Sequence, residues 1–123
     1  MVARKVAARL KPNSLTEFTN LMEREVLPWL REQEGFLDLI ILAVPHCREV
    51  ATISFWDDKV NAHSYNSAGY PVALKMLEKL LDGAPYVKTF EVVGSTLQRL
   101  ARAPLQARNL VPETRSAQLD FAG

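Results

Sequence analysis

The chain has 123 residues, 48% of them hydrophobic and 24% charged, the profile of one average soluble domain, not a disordered or collagen-like chain. Its single cysteine, Cys47, rules out an intrachain disulfide scaffold. Fifteen Lys and Arg against fourteen Asp and Glu leave a net charge of +1, which argues against nucleic acid as a partner, because that binding needs a concentrated basic surface. The longest uncharged apolar stretch, Leu39 to Pro45, is far shorter than the roughly 20 residues of a membrane-spanning helix. The start Met1-Val2-Ala3-Arg4-Lys5 lacks the apolar core of a signal peptide, and the expected location is the cytoplasm.

Val2 to Leu10 alternates loosely, with Val6, Ala8 and Leu10 on one side and Lys5, Ala7 and Arg9 on the other, and predicts a first strand ended by Lys11-Pro12-Asn13. Ser14-Leu15-Thr16-Glu17 has the spacing of a capping box. A helix follows whose apolar positions, Leu15, Phe18, Met22, Val26 and Trp29, fall on one stripe. Pro28 removes a backbone bond to Arg24, which predicts a bend before the helix ends near Gly35.

Phe36 to Val44 and Val50 to Trp56 read as a hairpin across Pro45-His46-Cys47-Arg48. In the first of these strands Phe36, Ile40, Leu42 and Val44 share a face with Asp38, and Leu37, Leu39, Ile41 and Ala43 share the other. A sheet with helices on one side alone should present a polar second face to water. Two apolar faces therefore predict a second cover, most simply another copy of the chain. Asp57 or Asp58 caps a helix from Lys59, Gly69 interrupts it before Tyr70-Pro71, and the second piece runs through Leu81 to Gly83. Tyr86 to Val93 predicts the fourth strand. The expected domain is residues 2–95. The remainder, 96–123, is read as a tail that forms a short helix around Leu97, Leu100 and Ala101 and embraces a partner, or is loose.

The order βαββαβ is that of a ferredoxin-like α+β unit with an antiparallel sheet. More specifically, Val26-Leu27-Pro28-Trp29-Leu30-Arg31-Glu32-Gln33-Glu34-Gly35-Phe36, the strand end Ile53-Ser54-Phe55-Trp56-Asp57-Asp58, and Ala62, Tyr65 and Tyr70-Pro71 resemble the antibiotic biosynthesis monooxygenase family. The resemblance implies a dimeric α+β barrel, a homodimer with a pocket between sheet and helices in each protomer. It also implies one of several activities: cofactor-independent oxygenation of aromatic quinols, haem breakdown, or isomerisation. The haem-degrading branch is expected to carry Asn on the first strand and Trp and His in the second helical region. Ala8 or Arg9, Tyr65 and Lys75 stand at about those positions, which disfavours haem.

Trp56, Tyr65 and Tyr70 are the candidate pocket walls, since aromatic faces hold a flat substrate while indole N–H and phenol O–H orient its oxygens; aromatic packing accounts for them nearly as well. His63 is a candidate general base able to remove a phenolic proton, although a solvated helix histidine is the simpler reading if Ala62 and Tyr65 face the sheet. Arg9 and Asp38, the polar exceptions on apolar strands, could orient a ligand or form an ion pair across the dimer. His46-Cys47 lies in a turn without further ligands at zinc spacing, so no metal site is expected. Asp57-Asp58 is explained by capping. The leading expectation is a cofactor-free, homodimeric monooxygenase acting on a small aromatic or quinol-like ligand with Tyr65 and His63 in catalysis; a non-catalytic binding module and an isomerase are the alternatives.

Overall fold

The computed structural model describes residues 1–96, so the expected helix around Leu97, Leu100 and Ala101 lies outside the described residues. Four antiparallel strands, β1 (Val2–Arg9), β2 (Phe36–Ala43), β3 (Glu49–Trp56) and β4 (Tyr86–Glu91), form one sheet in the order β2-β3-β1-β4. Two helical connections, one between β1 and β2 and one between β3 and β4, complete the ferredoxin-like α+β unit. The fourth strand is two residues shorter than its sequence pattern suggests, ending at Glu91, not at Val93.

Both connections contain a wide turn just before a proline. The first runs as α1 (Leu15–Leu21), a π-helical turn (Met22–Val26) and α2 (Leu27–Arg31). The second runs as α3 (Lys59–Ser64), a π-helical turn (Tyr65–Gly69), α4 (Tyr70–Leu77) and a 3-10 turn (Glu78–Leu80). Proline has no N–H and its ring presses on the carbonyl four residues back. Here the Leu27 N–H donates to the Met22 carbonyl and the Tyr70 N–H to the Tyr65 carbonyl, so each loop is widened by one residue ahead of Pro28 and Pro71. The helix expected to be interrupted at Gly69 is instead continuous through a π turn, and the irregularity expected at Pro28 takes the form of a π turn just ahead of it.

The capping box expected at Ser14 does not form. The Ser14 hydroxyl donates to the Pro12 carbonyl at 3.4 Å, and Glu17 lies 3.7 Å from Lys79 instead of reaching back. Asp58 does cap α3, its carboxylate accepting the Asn61 N–H at 2.8 Å.

Strand register sorts the side chains. Val2, Arg4, Val6 and Ala8 of β1 stand beside Trp56, Ser54, Thr52 and Val50 of β3, and this set faces the helices, where Phe18, Met22, Val26, Leu30, Ala62 and Tyr65 complete the core. A bulge between Phe36 and Asp38 shifts the pairing of β2 with β3. Beyond it Leu39 and Ile41 pack against the core, while Ile40 and Leu42 stand on the opposite face at 38% and 46% exposure. Both faces of β2 are thus apolar, as its sequence suggests, and one is open, but the bulge carries Phe36 to the core face with Leu39 and Ile41 instead of leaving it beside Ile40 and Leu42.

Gly35 fixes the junction between α2 and β2. Its φ is +84°, and a Cβ there would lie 2.5 Å from the Asp57 carboxylate and 2.6 Å from the Asn61 Cβ. Gly35→Ala is expected to lower stability by about 2 kcal/mol or more through left-handed strain and this clash, read as a lower urea midpoint at unchanged slope.

Candidate functional site

The site is organised around Arg4, a residue that sequence reasoning did not single out. It shares the parity of Val6 and Ala8, so the strand carries it onto the helix-facing side between Ser54 of β3 and Thr89 of β4. At 2% exposure it is among the most buried residues of the described chain. Its Nη2 donates to the Asn66 side-chain carbonyl at 2.7 Å. The guanidinium carbon sits 4.1 Å from the centre of the Tyr70 ring and 5.2 Å from that of Tyr65, which are cation–π distances.

Among the described residues no carboxylate lies within ion-pair distance of Arg4. Two buried polar atoms at this site have no hydrogen-bond partner: the Arg4 Nε and the Tyr70 hydroxyl. Unsatisfied buried groups are uncommon in folded proteins, and both border the same cavity. Desolvation lowers the pKa of Arg4, with the two tyrosines acting in the opposite sense. Burial pushes the Tyr65 phenol up to about 12, partly offset by Arg4 and reinforced by Tyr70, and it raises that of Tyr70 as well.

A stack of aromatic rings holds Tyr65 in place. Trp56 is completely buried, lies 4.7 Å from Tyr65 in a stacked geometry, and meets the Phe36 ring edge-on at 5.6 Å. Its indole N–H donates to the Ser54 hydroxyl at 2.9 Å, and that hydroxyl donates to the Arg4 carbonyl at 3.4 Å. Trp56 therefore supports Tyr65 from behind and is not among the residues bordering the cavity. On the other connection, the Trp29 indole donates to the Gly69 carbonyl at 3.2 Å. Gly69 is required there, because a Cβ would fall 2.5 Å from the Tyr65 ring and 2.8 Å from the Gln33 amide oxygen.

The cavity measures about 50 Å³. Arg4, Tyr65, Tyr70, Ser54 and Thr52 give it a polar end, and Met22, Val26, Val50, Leu74 and Leu77 give it an apolar body. No His, Asp or Glu is among the described residues that line it. An apolar cavity of about 150 Å³ is what receives benzene. A ring-sized ligand therefore requires the surrounding helices to move outward, and both π turns lie on that wall.

Of the residues singled out in the sequence, Tyr65 and Tyr70 come together at the cavity, 6.4 Å apart between ring centres. His63 is exposed on α3 and lies outside the cavity, because the same helical turn that directs Ala62 and Tyr65 inward carries it to solvent. Arg9 is also on the surface, 3.7 Å from Asp82, which Arg48 approaches equally closely. Asp38 accepts the Leu39 N–H at 2.9 Å beside the bulge and is not among the described lining residues. His46 and Cys47 lie in the β2–β3 turn. No cluster of three or more potential metal-ligating side chains occurs among the described residues, and no helix among them is long and apolar enough to cross a membrane.

Comparison with solved structures places this arrangement. The chain has the fold of antibiotic biosynthesis monooxygenase proteins. SnoaB, a cofactor-independent oxygenase from Streptomyces nogalater, superposes with a TM-score of 0.64 at 15% identity, covering 79% of this chain and 97% of that one. A candidate antibiotic biosynthesis monooxygenase from Nitrosomonas europaea gives 0.62 at 12% identity over 76% and 100% of the two chains. A protein of unknown function from the same organism gives 0.65 at 16% identity over 78% and 92%. No protein-family profile matches the chain, and no curated protein matches it significantly.

Tyr65 bears on stability in alkali. With its folded pKa near 12 against 10.0 when exposed, the folded state holds the phenolic proton more tightly than the unfolded state. The contribution of this group is therefore constant below pH 10 and declines between pH 10 and 12, at up to about 1.4 kcal/mol per pH unit. Urea midpoints measured from pH 8 to 12 should show that decline, and Tyr65→Phe should flatten it.

Proposed function

We propose that this chain is a cofactor-independent monooxygenase-like protein acting on a small aromatic or quinol-like metabolite in the cavity between sheet and helices. One observation carries the reading: the Nε of a buried cation and a buried hydroxyl, both without a hydrogen-bond partner among the described residues, belong to residues that line one apolar cavity walled by two tyrosine rings. Such a cavity matches a flat apolar ligand with oxygen at one end. The likeness in fold to SnoaB, an oxygenase that works without a cofactor, supports the reaction class.

The chemistry needs no bound redox group in principle, because an ionised quinol is itself the reductant. The anion passes an electron to oxygen, the resulting pair joins in a bond between oxygen and a ring carbon that carries hydrogen, the peroxide takes up a proton, and loss of water, which removes that ring hydrogen, leaves a hydroxyquinone. One oxygen atom then resides in the product and the other in water. The chain's part is to orient the ring between Tyr65 and Tyr70 and to hold the oxygen at the polar end. Oxygen uptake matched one-to-one by quinone formation is the expected result with a panel of quinols. Tyr70→Phe is expected to reduce turnover about tenfold or more, the order of one hydrogen bond to a charged group.

A non-catalytic binding protein of the same fold is the second reading. The absence of any carboxylate or histidine from the described lining favours it, as proton transfer usually employs such a group. Quinols that bind without oxygen uptake above the spontaneous rate would establish it over the oxygenase.

The proposal includes a homodimer closed through the open sheet face, where Ile40, Leu42, Phe90 and Tyr86 are exposed, Tyr86 at 66%. An apolar face of this kind is a liability for a lone chain in water. Native mass spectrometry should give a dimer mass, and Leu42→Glu should shift it to monomer with the fold retained.

A further inference from the structure

Arg4 lies deep under the helices, no carboxylate among the described residues is within ion-pair distance of it, and its described neighbours are neutral. From β1's partners come Ser54 on β3 and Thr89 on β4, and from the second connection come Tyr65, Asn66 and Tyr70. The cost of burying an unpaired charge is large, so a structure that retains one usually supplies a counter-charge. Here the protein supplies none among its described residues, and the unpartnered Nε belongs to a residue that borders the cavity. A second unpartnered group, the Tyr70 hydroxyl, borders it as well. Nη2 donates to Asn66, and the buried donors left without a partner among the described residues are one N–H, that of Arg4 Nε, and one O–H, that of Tyr70, a pair that a single ligand oxygen can satisfy.

We propose that Arg4 and Tyr70 form an oxyanion receptor: the ligand is an aryl or enol compound with one acidic hydroxyl, bound as its anion, with Arg4 as its counter-charge. This rests on the ligand-binding cavity of the preceding reading and specifies how its ligand is ionised. No His, Asp or Glu among the described lining residues takes the proton. The hydroxyl O–H bond breaks, its electron pair stays on the oxygen facing Arg4, and the proton leaves to solvent water. An opposite charge within about 4–6 Å lowers the pKa of an acid by about 1–3 units, which brings an ordinary phenol toward ionisation at neutral pH and makes a histidine or carboxylate in the cavity unnecessary.

The test uses the full chain and 4-nitrophenol, a single-ring phenol whose anion is yellow and whose neutral form is nearly colourless. Titration of the protein-bound probe followed by its visible absorbance should show an apparent pKa at least one unit below that of the free probe, a tenfold or greater gain for the anion over the neutral form. Arg4→Gln should abolish the shift, Arg4→Lys should keep part of it, and Tyr70→Phe should reduce it about threefold. Circular dichroism checks that each variant is folded; if Arg4→Gln is not, the wild-type titration and Tyr70→Phe still decide. A probe that fails to bind, binds colourless with a raised pKa, or keeps its shift in a folded Arg4→Gln protein would overturn the proposal. Oxygen uptake is measured separately, so a yellow complex that consumes no oxygen removes the oxygenase reading and leaves the receptor standing.

Discussion

The burial of the Arg4 guanidinium is the constraint around which the interior is arranged. A cation at that depth survives only where its hydration is replaced, and the replacement comes from unlike sources: an amide oxygen from Asn66 and the π faces of Tyr70 and Tyr65. Tyr65 is in turn fixed by Trp56 behind it, whose indole is tied through Ser54 to the Arg4 carbonyl. The result is a closed loop of contacts running from strand to strand to helix and back. Its compensation is incomplete, since Nε and the Tyr70 hydroxyl are left without partners. That residue of unmet polarity distinguishes the site from an ordinary aromatic core.

The π turns place the pieces of this loop. Without the extra residue before Pro71, the helix carrying Tyr65 and Tyr70 would continue at 3.6 residues per turn, and the two rings would point in different directions relative to Arg4. Gly69 permits the Tyr65 ring to lie against the backbone, and the Trp29 indole secures its carbonyl from the other connection. The two helical connections are thereby coupled at the roof of the cavity, where any widening for a larger ligand must take place.

The other side of the sheet obeys a different logic. Its exposed residues, Ile40, Leu42, Tyr86 and Phe90, are apolar, but they are interspersed with Lys5, Lys88 and Glu49 on the same face by register. A face of mixed character suits contact with another protein surface better than it suits a hydrophobic core. The described residues around Arg4 all lie on the helix side of the sheet, away from this face.

Strand periodicity, the apolar stripe of the first helix and the Asp58 cap made the βαββαβ order legible, because each depends on residues near one another in sequence. The same alternation showed β2 to be apolar on both faces. Tyr65 and Tyr70 were legible as aromatic residues five apart around a Gly-Tyr-Pro junction. Arg4 was within reach too, since it has the parity of Val6 and Ala8, but a charge near a strand's start ordinarily faces water and only the helices above it decide otherwise. The failed capping box at Ser14, the surface pairing of Arg9 with Asp82, and the exposure of His63 were likewise settled by partners distant in the chain. Local sequence thus determined which elements form and which faces are apolar, because backbone periodicity is a short-range property. Which charge is buried, which ring stacks on it and where a cavity remains were decided by tertiary packing, because those depend on distances between side chains far apart in the chain, 62 residues in the Arg4–Asn66 bond.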